Sequence, residues 1–274
     1  MPHGVTGAAA SAGCALDEGA SHANAGASYL VTRGLVKGYG EGAARMEVLR
    51  GISVDVAESA VTAIVGPSGA GKSTLLHIMG TLDRPNSGSV LIDGMDVTSL
   101  RDKALSRLRN TSLGFVFQSH RLLPEFSIVE NVAMPCLVGG MGRRQAMERA
   151  RLWLERLGLA ERLDHRPSEL SGGECQRAAV ARALVNDAPL LLADEPSGSL
   201  DSENRRRMHS LFFDLRDAYG TTVVIVTHDG ELAADADHVL HIADGRLICE
   251  QSPTTDIDTQ KNPDTDARLD TATD

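Results

Sequence analysis

Aromatic residues are scarce in this sequence. They make up 3% of its 274 positions, so any core must be built from aliphatic side chains. Long hydrophobic runs are missing as well. No stretch approaches the ~18 consecutive apolar residues needed to cross a bilayer. The longest runs, such as Val223–Val226 and Leu190–Ala193, suit buried strands. Cysteine is sparse and scattered: Cys14, Cys136, Cys175 and Cys249 contain no pair at metal-ligand spacing, and a chain of this size needs no disulfide staples. Reduced thiols in a cytosol are the expected state. Positive charge is in deficit, with a formal net charge of −10. Nucleic-acid-binding domains carry a basic face, so no nucleic-acid partner is expected. The N-terminus lacks the basic start and apolar stretch of an export signal. Ala12-Gly13-Cys14 has the outline of a lipid-attachment site, but nothing hydrophobic precedes it.

The bulk composition is that of a globular protein, 42% hydrophobic and 23% charged. Residues 1–28 are rich in Ala, Gly and Ser without any period, and are expected to form a disordered tail. Residues 251–274 are expected to do the same. Their six aspartates against Lys261 and Arg268 give that tail a net −4. The folded part is therefore expected at 29–250, and it shows no internal repeat.

Within it, Ile52, Val54 and Val56 alternate with polar residues, as on a half-buried strand. Val61–Val65 is a β-branched run feeding directly into glycines, and a helix is predicted over Ser73–Gly80. Val90–Ile92 and Leu113–Phe117 read as further strands. From about 119 to 180 the pattern turns helical. Met147, Ala150, Leu154 and Leu157 fall at helical spacing, which by itself means a core-facing stripe. Strands return at Leu190–Ala193 and Thr222–Thr227, with a helix predicted over Glu203–Tyr219 between them. The pattern is an α/β core interrupted by a helical insert.

The chemistry-bearing residues begin at Gly66-Pro67-Ser68-Gly69-Ala70-Gly71-Lys72-Ser73-Thr74. The run fits G-x-x-x-x-G-K-[ST] between a strand and a helix, the context such a motif needs. Glycines let successive backbone N–H groups wrap a phosphate. The helix that follows directs its positive end at the same anion. Lys72 supplies a point charge for the β- and γ-phosphates, and the Ser73 hydroxyl is a ligand for Mg²⁺. The second half is Leu190–Ala193 ending in Asp194 and Glu195. Asp194 suits the Mg²⁺ shell and Glu195 the general base that polarises the attacking water. A solvated acidic turn is the bland alternative for this pair taken alone. Together the two motifs predict an ATPase using ATP and Mg²⁺.

A third element, Leu170-Ser171-Gly172-Gly173-Glu174-Cys175-Gln176, resembles the signature motif of the ATP-binding-cassette (ABC) ATPases. The family's order continues around it. Gln118 follows a strand, then come the signature, Asp194-Glu195, Ser199-Leu200-Asp201 and His228. The resemblance covers about residues 30–250. It implies a phosphate-loop NTPase core with an antiparallel β subdomain and an inserted helical subdomain at about 119–180. It also implies a head-to-tail homodimer, with ATP between the phosphate loop of one copy and Ser171, Gly172, Gly173 and Glu174 of the other. By the same resemblance Tyr39, in Lys37-Gly38-Tyr39 ahead of the strand, stacks on adenine. A packing role for this tyrosine is the alternative. Gln118 touches Mg²⁺ or the water, Asp201 couples the two sites, and His228 contacts the γ-phosphate and positions Glu195.

The chain departs from the family pattern in four places. Glu174 stands where Gln is frequent, Cys175 where Arg is frequent, Ser197-Gly198-Ser199 replaces the commoner Thr-Gly-Asn, and Gly230 follows Asp229 where an apolar residue is usual.

The stretch from Gln118 to Pro135 is unusually apolar for a loop-rich segment, which suits either a partner-binding patch or packing of the insert on the core. His120–Phe126, Glu130–Pro135, His165–Leu170 and Ala183–Asn186 resemble the ATPases of bacterial lipoprotein-releasing systems. That resemblance implies two integral-membrane permease subunits, lipoprotein cargo and a peripheral place on the cytoplasmic face of the inner membrane. Macrolide-export and cell-division ATPases share much of the pattern. A soluble ABC ATPase acting on ribosomes or DNA is the alternative from a different class, and the single cassette and acidic balance speak against it.

Overall fold

The computed structural model describes residues 28–40 and 46–252. The two tails read from the sequence lie outside these residues, save for Ser28 and Gln251–Ser252, and so does Cys14.

In chain order the strands are β1 (Ser28–Tyr39), β2 (Met46–Ala57), β3 (Val61–Val65), β4 (Ser87–Ile92), β5 (Met95–Asp96), β6 (Leu113–Phe117), β7 (Leu190–Asp194), β8 (Thr222–Val226), β9 (His238–Ala243) and β10 (Arg246–Gln251). The helices are α1 (Lys72–Met79), α2 (Asp102–Ser112), α3 (Ile128–Val138), α4 (Arg143–Arg156), α5 (Gly172–Leu184), α6 (Ser202–Tyr219) and α7 (Gly230–Asp235). An antiparallel sheet has the order β2-β1-β4-β5. A six-stranded sheet has the order β10-β9-β3-β8-β7-β6, parallel from β9 to β6, with β10 antiparallel at its edge.

The apolar runs of β7 and β8, and of β3 around buried Thr62, follow from burial of both faces of the parallel sheet. Alternate residues go to two different cores. Leu190, Leu192, Val224, Val226 and Ile64 face α1, α2 and the antiparallel sheet. Leu191, Ala193, Val223, Ile225 and Ala63 face the helices α3 to α6. β2 has one buried face, and Ile52, Val54 and Val56 lie on it as their alternation predicts.

The helical insert comprises α3, α4, two single 3₁₀ turns and α5, and so runs to Leu184 rather than 180. Residues 118–127 at its start are not helical. Ala150 and Leu154 of α4 are fully buried beside Leu157, while Met147 packs against the rim of that core. The apolar segment that opens the insert divides between both readings made of it. Leu122, Ile128, Val129, Val132 and Ala133 are buried, whereas Leu123 and Phe126 are exposed. Buried Asn131 holds that exposed turn in shape. Its Nδ2 donates to the carbonyls of Leu123, Phe126 and Ser127, and its Oδ1 accepts from Leu123 N at 2.7 Å.

Candidate active site

The register of the parallel sheet brings distant residues to one edge. Ile64 pairs with Val226, Val226 with Asp194, and Asp194 with Phe117. The residues just beyond these strand ends are Gly66, His228, Glu195 and Gln118. They emerge side by side at the carboxyl edge, where open parallel sheets bind ligands.

The loop from β3 to α1 needs its glycines. A Cβ on Gly66 would lie 1.9 Å from the Ile242 carbonyl oxygen, and Gly71, the N-cap of α1, has φ of +98°. Lys72 Nζ donates to the carbonyls of Gly66 (2.8 Å) and Pro67 (3.0 Å), which arches the ammonium over the loop. Ser73 Oγ donates to Asp194 Oδ1 at 2.9 Å, tying the first turn of α1 to the end of β7. These are two hard oxygen donors side by side. Magnesium takes one or two protein oxygens of this kind and completes its octahedron with phosphates and water, so the pair fits that ion. Among the described residues no cluster of three His, Cys, Asp or Glu forms a protein-only metal cage.

Tyr39 ends β1 beside this loop. Its hydroxyl donates to Asp83 Oδ2 at 2.8 Å, with the Thr74 side chain as a second partner. Lys37 Nζ donates to Asp83 Oδ1 at 2.6 Å and lies 4.9 Å from the Tyr39 ring centroid. Burial, and then Asp83, raise the Tyr39 phenol above its ordinary value, so it stays protonated at neutral pH. Burial alone would raise Asp83, but Lys37, Tyr39 and the Arg84 amide together hold it below the usual carboxylate range. The ring is thus fixed at its edge while remaining 45% exposed.

Glu195 follows Asp194 in a left-handed conformation, φ +49°, with its N–H bonded to Val226 O at 2.9 Å. Such a φ on a bulky residue costs on the order of 1–3 kcal/mol and is found where geometry serves a site. It turns the carboxylate toward His228, with Glu195 Oε2 2.7 Å from His228 Nδ1. The Gln118 amide borders Gly198, 3.2 Å from where a Cβ on that glycine would sit. Two further residues hold this strand end, Gln176 from the signature motif and Arg182, which sequence reasoning did not single out. Gln176 Nε2 of α5 donates to Phe117 O at 2.8 Å, and Arg182 donates to the carbonyls of His120 and Arg121. A third is His77 of α1, whose Nε2 is buried and lies 3.7 Å from Asp194 Oδ2.

Ser171, Gly172, Gly173 and Glu174 form the start of α5. Ser171 is the N-cap in a capping box, with Glu174 Oε2 accepting from Ser171 N and Oγ at 2.8 Å each. Arg162 Nε donates to the other oxygen at 3.0 Å. The Ser171 amide and then its hydroxyl pull the Glu174 carboxyl down to about 2, against the effect of burial. The carboxylate is therefore committed to the cap. Asp201 caps α6 by accepting from Glu203 N and Asn204 N, and also from Asn204 Nδ2 at 2.6 Å. Asn204 in turn lies against Gly173, where a Cβ would fall 2.4 Å from its Oδ1. Among the described residues no hydrogen bond or ion pair joins 171–174 to 66–74. The predicted residues thus fall into two groups, one at the sheet edge and one at the starts of α5 and α6.

A lysine-tipped phosphate loop facing a strand-end carboxylate pair is the apparatus of a phosphate-loop ATPase. A family model described as ABC transporter matches residues 49–198. The LolD lipoprotein-releasing ATP-binding protein of Bacteroides fragilis is 52% identical over 215 residues, which are 78% of this chain and 98% of that protein. Its counterpart in Bordetella pertussis is 54% identical over 213 residues, 78% of this chain and 92% of that one. Among solved structures, a dimeric ATP-binding cassette holding ADP and phosphate after hydrolysis superposes with a TM-score of 0.75 at 36% identity, covering 81% of this chain and 98% of that one. The chain belongs to the ABC transporter ATPases, within the group of lipoprotein-releasing ATP-binding proteins.

Proposed function

We propose that this ATPase works as a head-to-tail pair on the cytoplasmic face of the inner membrane, where it drives release of lipoproteins through two integral-membrane subunits. What supports the cargo is the kinship with LolD proteins over nearly their whole length. The observation that carries the mechanism is the Glu195–His228 contact beside the Ser73–Asp194 bond at one sheet edge.

From that arrangement the roles follow. The N–H groups of the loop after Pro67 and of the α1 N-terminus hold the phosphates, and Lys72 exchanges its carbonyl partners for phosphate oxygens. Ser73 and Asp194 would hold magnesium, which neutralises charge on the transferring phosphoryl group. Glu195 accepts a proton from the attacking water, and His228 keeps its carboxylate aimed. Tyr39 offers its open ring face to adenine. Ser171 and the helix start at Gly172–Gly173 present a second anion-binding end, which suits the γ-phosphate held by a partner copy. Such a joint site is sealed while that phosphate is present and opens when it leaves, a shift driven by differential affinity for the closed state. No described helix is long and apolar enough to cross a membrane, and exposed Leu123 and Phe126 give the membrane subunits an apolar seat.

The test is purification from detergent-solubilised membranes combined with depletion of the chain in cells. Two integral-membrane proteins should accompany it, and lipoproteins should accumulate in the inner membrane. Isolation with ribosomes alone, or unaltered lipoprotein sorting, would overturn the transport reading.

A further inference from the structure

The loop that carries Glu195 toward Asp201 and the loop that carries His228 meet across a cavity of about 500 Å³. Its lining includes Glu195, Gly198, Arg205, His228 and Asp229. Among the described residues no hydrogen bond or ion pair joins residues 196–201 directly to 227–231. The link runs instead through α6. His209 is buried, and its Nε2 lies 3.4 Å from Ser197 Oγ and 3.7 Å from Asp229 Oδ2. Arg205, one turn earlier on the same face, has its Nε 3.7 Å from that same Oδ2, and its Nη2 donates to Leu200 O at 3.4 Å. Asp229 adjoins His228 in sequence, and its Oδ1 caps α7 through Glu231 N at 2.9 Å. Asp201 is itself the N-cap of α6.

We infer that Arg205 and His209 are positioning residues: they clasp the Asp229 carboxylate so that displacement of Asp201 by a partner copy reorients His228 and the Glu195 carboxylate it touches. The inference rests on the proposed roles of Glu195 and His228. Burial lowers the His209 imidazole below its ordinary value, against the pull of Asp229; its hydrogen-bond partner is Ser197 Oγ, and Asp229 Oδ2 sits against the same nitrogen as a longer polar contact. A rigid helix pinned at one end by Asp201 and along one face to Asp229 moves as a unit. The cavity leaves the two loops room to shift against each other, so beyond the Glu195–His228 contact and the bond from Glu195 N–H to Val226 O the clasp sets their relation.

The experiment measures ATP hydrolysis against ATP concentration for His209→Leu, His209→Gln, Arg205→Met and the Leu/Met double variant. Loss of aim at the base should lower kcat about tenfold in His209→Leu and in Arg205→Met, as small misplacements do, with KM within about twofold. The Hill coefficient should fall toward about 1 from a ceiling of about 2 for two coupled sites. His209→Gln, whose amide occupies the Nε2 position, should recover most of the turnover. The double variant should be no worse than either single one, because both act through one carboxylate. In a Glu195→Gln background, His209→Leu should still form the ATP-bound dimer on size exclusion, which separates positioning from folding and binding. Wild-type kcat and Hill coefficient in both single variants, additive losses, or failure of that dimer to form would overturn the clasp. Wild-type turnover in Glu195→Gln alone would instead overturn the underlying assignment of the base.

Discussion

Glu195 Oε2 and His228 Nδ1 lie 2.7 Å apart, although the two residues come from the ends of different strands. The contact depends on the left-handed turn at Glu195 and on the bond from its N–H to Val226 O. With the imidazole Nδ1–H donating, one carboxylate oxygen is held while the Glu195 side chain stays 20% exposed. Glu195→Gln preserves the size of the group and removes its basicity. Turnover should drop by about 10²- to 10⁴-fold, the contribution of a positioned general base. ATP affinity should hold, and an ATP-bound dimer should accumulate on size exclusion. Turnover near the wild-type rate would remove Glu195 from that role.

Lys72 and Ser73 are adjacent but should fail differently. Among the described residues Lys72 has no partner but carbonyl oxygens, so Lys72→Ala removes a charged donor from the phosphates. A charge-assisted bond contributes ~1.5–3 kcal/mol, and ATP affinity should fall about 10- to 100-fold with or without magnesium. Ser73 bonds Asp194, so Ser73→Ala should leave metal-free ATP binding nearly intact and abolish the gain that magnesium brings. Titration of a fluorescent ATP analogue in magnesium and in EDTA separates the two. Equal behaviour of both variants in both buffers would break the assignment.

Much of this was legible in the sequence. The phosphate loop and the strand ending in Asp194 were visible because a parallel strand buried on both faces reads as an aliphatic run before its catalytic turn. The end of the Glu203–Tyr219 helix was also correct, since Gly220 adopts the left-handed cap there. β1 escaped notice because its alternation is broken by register shifts around Gly34. β10 escaped because it buries no residue fully, with only Leu247 and Cys249 half-buried, and so short an edge strand gives a weak hydrophobic code. His77, Arg182 and Arg205 were missed for another reason. Each has a partner far away in sequence, Asp194 for His77, the His120 and Arg121 carbonyls for Arg182 and Asp229 for Arg205, and no local pattern marks such a pairing.

Tyr39 presents a ring face fixed at its edge by the bond to Asp83. Tyr39→Phe keeps the face and loses the anchor, whereas Tyr39→Ala loses both. Stacking of a base on an aromatic ring contributes about 1–3 kcal/mol, so Tyr39→Ala should weaken ATP binding about 5- to 100-fold and Tyr39→Phe only a few-fold. Tripolyphosphate binding should be the same in all three proteins, because it has no base. Calorimetric titration with both ligands is the check. A loss of tripolyphosphate affinity in Tyr39→Ala would show that the residue supports the loop itself.

The Glu174 carboxylate, held at about 2 chiefly by the Ser171 amide and hydroxyl, ties the stability of α5 to pH. Its pKa is lower in the folded chain than in the unfolded one. The stabilisation is therefore full above the ordinary glutamate value of 4.5 and is lost as pH falls through about 2. Glu174→Gln keeps a weaker version of the capping box, and Glu174→Ala removes it at a cost of about 1 kcal/mol. In urea unfolding, the gap between wild type and Glu174→Ala should be constant from pH 7 to pH 5 and should narrow below that. The gap to Glu174→Gln should be smaller but follow the same course, because the amide does not titrate. The cap also sets the direction of the Ser171 hydroxyl and the free N–H groups at Gly172–Gly173. Glu174→Ala in a Glu195→Gln background should therefore weaken the ATP-bound dimer at pH 7 more than it weakens ATP binding by a single chain. A dimer of unchanged strength would mean that the start of α5 does not meet the partner's nucleotide.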